Sequence, residues 1–169
     1  WAIWNLKARF FFRDPSAWRE LLAAREIPWA NLDYPLLLPG IVARSWHYLR
    51  GESLLAPAAV SYLFMAATAG LLFCALSLLR GREYGALGAL SLVATPFFIT
   101  HSASQYADVP LGFFFLAPVA LFAAADAFPA GKARLTALAG FMAGLAVWTK
   151  NEGVLFLVVL TAARALAII

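Results

Sequence analysis

From Leu54 onward the sequence is a succession of long apolar runs separated by brief polar breaks, at about 54–79, 84–100, 110–128, 133–149 and 151–169. Each runs roughly 17 to 26 residues, the length an α-helix needs to cross a hydrocarbon layer of ~30 Å. This pattern excludes most folds. Lipid offers no partners to backbone N–H and C=O groups, so such segments must close their hydrogen bonds internally, as helices. Composition agrees: 63% of the residues are hydrophobic and 13% charged, against about half and a quarter in a soluble domain. The expected fold is all-α, a polytopic membrane protein with about five transmembrane helices. The net charge of +4 does not point to nucleic acid, because the cations are scattered through the first quarter and the short breaks. No nucleic-acid partner is expected; the lipid bilayer is. The single cysteine, Cys74, rules out an intrachain disulfide. The chain starts at Trp1 rather than Met and stops within an apolar run, so it reads as a fragment.

The breaks fix an expected topology. RGRE (80–83) and AGKAR (130–134) carry Arg80, Arg82, Lys132 and Arg134. They are two spans apart and therefore share a side, which the positive-inside rule makes cytoplasmic. THSASQYADVP (100–110) and TKNEG (149–153) then face outward, Lys150 being the one cation against the trend. Residues 1–53 also face outward, as an extracytoplasmic loop, and 54–169 form the membrane part. Within the loop, WAIWNLKARFFFR places apolar residues at 1, 4, 8, 11 and 12, with Asn5, Arg9 and Arg13 on another face. That is the spacing of an amphipathic helix. Asp14-Pro15 reads as the cap and first position of a second helix, SAWRELLAARE. Five of the six tryptophans lie in this loop, as suits the membrane interface. NLDYPLLLPG follows, stiffened and partly extended by its two prolines, and then a third short helix around 41–50.

Three carboxylates stand at span edges on the outward side. Asp108, two residues before Pro110, is either a helix cap worth ~1 kcal/mol or a functional acid. Glu152 shares a corner with Lys150 and Asn151, where Gly153 permits a tight turn. An exposed hairpin with a snorkelling lysine is the bland reading. A cation, an amide and an anion together are more than a bare turn needs. Asp33 is either an Asx-type turn or a site residue. His47 and His101 show no metal-ligand spacing, and no metal site is expected from the residues. Asp126, near the cytoplasmic end of its span, is read as snorkelling rather than reacting. Nucleotide-binding signatures are absent from the sequence.

Taken in order, WNLKARFFF, DYPLLLP, QYADVPLGFF and WTKNEGVLF resemble the GT-C-type membrane glycosyltransferases. The pattern is similar to the dolichyl-phosphate-mannose protein mannosyltransferases and the aminoarabinose transferases of lipid A. Each motif alone is weak; the ordered set covers essentially the whole chain. The resemblance implies a polyprenyl-phosphate sugar donor, a protein, glycan or lipid acceptor, and transfer on the outer face with inversion at the sugar. It places the main catalytic base just before Trp1. It matches Asp108 to a second acidic position that orients the acceptor, or holds a divalent metal in relatives that use one. No other cofactor is implied. It matches Thr149 and Lys150 to a Thr-Lys-Gly-Pro corner, from which Asn151 and Glu152 depart. Glu152 is then a catalytic-side partner of Lys150 or an acceptor contact. DYPLLLP matches a segment that often reads Lys-Pro-Pro-Leu, so Lys7, Arg9 or Lys150 must supply the phosphate contact, with Asp33, Tyr34, Tyr106 and Asn151 lining the same site.

Two other classes compete. A transporter or lipid flippase would place ionisable groups near the midplane on broken helices, and would show pH-gradient-driven flux. An assembly subunit would tolerate neutralising Asp108, Lys150 and Glu152 together.

Overall fold

The computed structural model describes residues 2–14, 16 and 34–167. Among these there are helices and connections and no strand. The order is α1 (Ala2–Arg13), α2 (Leu37–Leu49), α3 (Leu55–Arg80), α4 (Arg82–Val93), α5 (Pro96–Ala103), α6 (Asp108–Ala127), α7 (Lys132–Thr149) and α8 (Glu152–Leu166). The helix expected over SAWRELLAARE lies outside the described residues. So does Asp33. Asp14 accepts a hydrogen bond from the Ser16 backbone N–H at 3.0 Å, the local bond of an Asx turn.

Two helices are long and apolar enough to cross a membrane, α3 with 26 residues and α6 with 20. At 1.5 Å per residue they extend ~39 and ~30 Å. The run 84–100, expected as one span, is two helices bent by 63°. The cause is Thr95-Pro96: Thr95 is extended at φ −80° and ψ 110°, as the residue before a proline prefers. Counted together, α4 and α5 make a third candidate span. α7 and α8, with 18 and 15 residues, do not meet the same measure. The molecule is an all-helical integral membrane protein with two to three candidate spans.

What the helices leave outside is apolar. Leu55, Tyr62, Leu63, Leu87, Leu90, Phe97, Leu155 and Val158 are all exposed. In water a surface like this would aggregate; in lipid it costs nothing. Inside, contact depends on small residues and aromatic rings. Ala139, Ala143 and Ala146 form a buried stripe down α7, at the i, i+4, i+7 spacing that lets membrane helices approach closely. Ala146 joins Leu111 and Phe114 of α6 in one cluster. Phe64 of α3 meets Phe113 and Phe114 edge-on at 5.7 and 5.5 Å, and Phe115 stacks on Phe156 of α8 at 4.1 Å. At the start of α8 a Cβ on Gly153 would lie 2.2 Å from the Ala146 carbonyl oxygen. Gly153, expected to permit a tight turn, does so without a left-handed backbone. It is the second residue of α8, bare so that α8 can close on the α7 backbone.

The amphipathic segments cover one end of this bundle. α1 and α2 meet through Ala8, Val42, Ala43 and Trp46, with Ala56 of α3 completing the cluster. The Trp46 indole N–H donates to the Ser53 carbonyl at 2.7 Å, fixing the turn into α3. The helix expected near 41–50 begins at Leu37. Leu37, Leu38 and Pro39 of DYPLLLP thus form the first turn of α2, where the proline's missing backbone N–H breaks no helical bond.

Candidate functional site

Three chain segments converge where α6, α7 and α8 meet the α1–α2 layer. α6 and α8 both begin here, with Asp108 and Glu152 as their first residues, and α7 ends here at Thr149. Acids in the first turn suit the positive end of each helix dipole. Between them lies Lys150, whose extended backbone (φ −158°, ψ 152°) breaks α7 from α8. Its Nζ is 3.1 Å from Asp108 Oδ1 and 2.9 Å from Glu152 Oε1. The Lys150 side chain is 15% exposed and the two carboxylates about half exposed. Burial pulls the Lys150 ammonium toward a lower pKa, but the bonds to Glu152 and Asp108 outweigh it and the net shift is upward. Lys150 is a fixed cation at neutral pH.

Asp108 is not acting as a cap. The cap position is Ala107, with no side-chain capping bond. The carboxylate turns instead to the lysine 42 residues away.

Tyr34 forms the other wall. Lys150 Nζ lies 5.8 Å from its ring centroid and Lys7 Nζ 6.0 Å, within cation–π range. The Lys7 ammonium also donates to the Tyr34 carbonyl at 3.0 Å, and Trp4 stacks on the Tyr34 ring at 5.6 Å. Lys7 is 1% exposed. Asn5, which the sequence placed with Arg9 and Arg13 away from the apolar face of α1, is buried and donates to Gln105 Oε1 at 2.8 Å. The polar face of α1 is thus divided: Asn5 is spent on the protein's own polar corner, while Arg9 and Arg13 stay partly exposed beside Glu52. Gln105 meets Asn5 from a left-handed backbone (φ +59°), at the bend between α5 and α6.

The remaining expected site residues are more dispersed. Arg9 turns to Glu52, 2.9 Å away, and Arg13 joins the same carboxylate. Tyr106 faces His101, ring centroids 5.4 Å apart. Asn151 is exposed at the α7–α8 turn and its carbonyl accepts the Val154 N–H at 3.0 Å. Beside Asp108 an apolar groove of about 420 Å³ runs between α3, the α4–α5 bend and α6, walled by Leu72, Leu92, Phe98, Val109 and Leu116, with His101 at its edge. Sequence reasoning missed Gln105, Glu52 and Trp4. Gln105 and Glu52 are polar residues beside helix ends, which was the available clue; their partners lie 100 and 39 or more residues away. Asp108 and Glu152 both pair with Lys150, and among the described residues no three His, Cys, Asp or Glu side chains cluster as ligands.

A helical bundle with an apolar exterior and a charged corner at one end, roofed by amphipathic helices, defines the class as a polytopic membrane protein. Residues 33–168 match the family described as dolichyl-phosphate-mannose-protein mannosyltransferase, and the chain belongs to that family, of GT-C-type membrane glycosyltransferases. No curated protein and no solved structure matches it.

Proposed function

We propose that this chain is part of an integral-membrane transferase that moves a sugar from a polyprenyl-phosphate donor to an acceptor on the extracytoplasmic face. On this reading all five apolar segments are membrane-embedded, the α4–α5 pair as a bent span and α7 and α8 as short ones. Residues 1–53 cover the outward end, at the inner membrane of a bacterium or its equivalent. The observation that carries the reading is the convergence of Lys150 and Lys7 on Tyr34. Transfer expels a lipid phosphate, and cations held ready for that charge lower the barrier. An ammonium has three N–H donors. Two of those on Lys150 go to Asp108 and Glu152, and the third serves the phosphate. Asp108, half exposed, orients the acceptor hydroxyl, and Glu152 holds Lys150 in place. The main base is assigned, by family resemblance, to an acid preceding Trp1. The groove beside Asp108 suits an isoprenoid segment. A transport role is not favoured, because the charges gather at helix ends rather than along a midplane path.

The test is transfer from a labelled polyprenyl-phosphate sugar by the full-length protein in membranes. Lys150→Ala and Asp108→Asn should each lower the rate by about a hundredfold or more, at unchanged expression. Wild-type turnover in both would remove the corner from the mechanism.

A further inference from the structure

The opposite end of the same helices carries a second charged assembly, which transfer does not use. α6 and α8 both run away from the Lys150 corner, so Asp126 and Arg164, near their far ends, meet again there. The Arg164 guanidinium grips the Asp126 carboxylate through two N–H groups, the Nη2 bond measuring 3.0 Å. It also lies over the Phe122 ring, 4.5 Å from its centroid. Lys132, the first residue of α7, stands 4.0 Å from the same carboxylate and is mostly exposed. Arg134, two residues on, is exposed as well. One carboxylate therefore faces two cations, with a third, Arg134, two residues along the chain from Lys132. A guanidinium has five N–H donors, and Asp126 engages two of Arg164's.

Below this cationic rim a groove of about 280 Å³ descends between α6, α7 and α8. Its walls include Phe122, Ala143, Leu157 and Leu160, and Arg164 closes its mouth. Thr161 adds no polar wall, since its hydroxyl donates to the Leu157 carbonyl of its own helix at 2.8 Å. Gly140 leaves the α7 side open, with nothing within 4 Å of where its Cβ would stand. An apolar slot along membrane helices, topped by surplus positive charge, matches one ligand chemistry: an acyl chain joined to an anionic phosphate head.

We infer that this groove is a binding site for an anionic membrane phospholipid, its chain between α7 and α8 and its phosphate on Lys132, Arg134 and the remaining donors of Arg164. The site is separate from the donor site, and its test does not depend on transfer.

The full-length protein is reconstituted in phosphatidylcholine vesicles containing a trace of photoactivatable phosphatidylglycerol or of photoactivatable phosphatidylcholine, and crosslinks are mapped. The phosphatidylglycerol probe should label the segments 140–143 and 157–165 in preference to the neutral probe, by about fivefold for each cation engaged. Lys132→Ala with Arg134→Ala should remove most of that preference, leaving at most the share that Arg164 holds, while thermal stability holds. Asp126→Asn, which removes the competing anion, should raise the preference; if that variant unfolds, the lysine–arginine pair alone decides. Equal labelling by both probes in the wild type overturns the proposal, since it describes ordinary boundary lipid. So does an absence of label in the groove, which would mean another part of the full chain fills it.

Discussion

Gly153 and Lys150 show how much at the corner depends on single side chains. A methyl group at 153 would overlap the Ala146 carbonyl and the Val147 nitrogen, both within 2.6 Å of its position. Neither is a flexible side-chain tip that could move aside. Gly153→Ala should therefore cost about 1–3 kcal/mol through forced separation of α7 and α8, read as a lower midpoint of thermal unfolding in detergent. Gly144→Ala, with open space around its Cβ position, should be neutral or mildly stabilising, by up to about 1 kcal/mol. Equal effects of the two would contradict the close packing described for α8. Lys150, its pKa raised by its two carboxylates, contributes stability that is complete below its unfolded value near 10.5. That contribution fades only as pH rises through the higher folded value. Unfolding midpoints of the wild type and Lys150→Met should thus differ by a constant amount from pH 6 to 9; a gap that closes in that window would mean Lys150 titrates there. The lysine, its asparagine and its glutamate were visible in the sequence as charge in an apolar setting. Asp108 was visible too, but its partner was not. A cap and an ion pair look the same in sequence, because nothing local says which way the carboxylate turns.

At the scale of elements, α1 is held by a side-chain clamp as well as by packing. Arg9 and Arg13, one turn apart, share Glu52 in the connection between α2 and α3. The hydrogen bond from Arg13, working against a smaller desolvation effect, holds the Glu52 carboxyl below its ordinary pKa. A depressed carboxylate stabilises above its unfolded value near 4.5, and its contribution is lost as pH falls through the folded value. Amide exchange in Ala2–Arg13 should accelerate below about pH 4 relative to α2, and Glu52→Gln should show the faster exchange already at neutral pH. An α1 whose exchange ignores both changes would mean that packing on Trp46 alone retains it. α1 itself was legible from its apolar spacing. The burial of Asn5 was not legible, because a 3.6-residue period says which residues share a side but not which of them meets water and which a buried amide. The α4–α5 bend was carried in full by Thr95-Pro96. The apolar count across 84–100 concealed it, since hydropathy is blind to a missing N–H.

The whole molecule follows from solvent more than from any motif. Apolar runs of this length in lipid leave the chain no choice but helices, so fold class was readable from composition and spacing alone. The number of spans was not. α7 and α8 are individually short, and they act as a pair because Ala143, Ala146 and Gly153 let them close on α6 and each other. The same tight junction brings two helix starts and one helix end together, and so creates the charged corner. The central claim is that this corner receives the phosphate of a lipid donor. The most direct measurement is the affinity of the full-length protein for polyprenyl phosphate against polyprenol, the same chain without the charge, for wild type and Lys150→Ala. A charge-assisted bond contributes about 1.5–3 kcal/mol, so the wild type should prefer the phosphate by roughly tenfold to a hundredfold, and Lys150→Ala should lose most of that preference while polyprenol affinity stays the same. A phosphate preference that survives the substitution intact would place the donor's charge elsewhere and contradict the account.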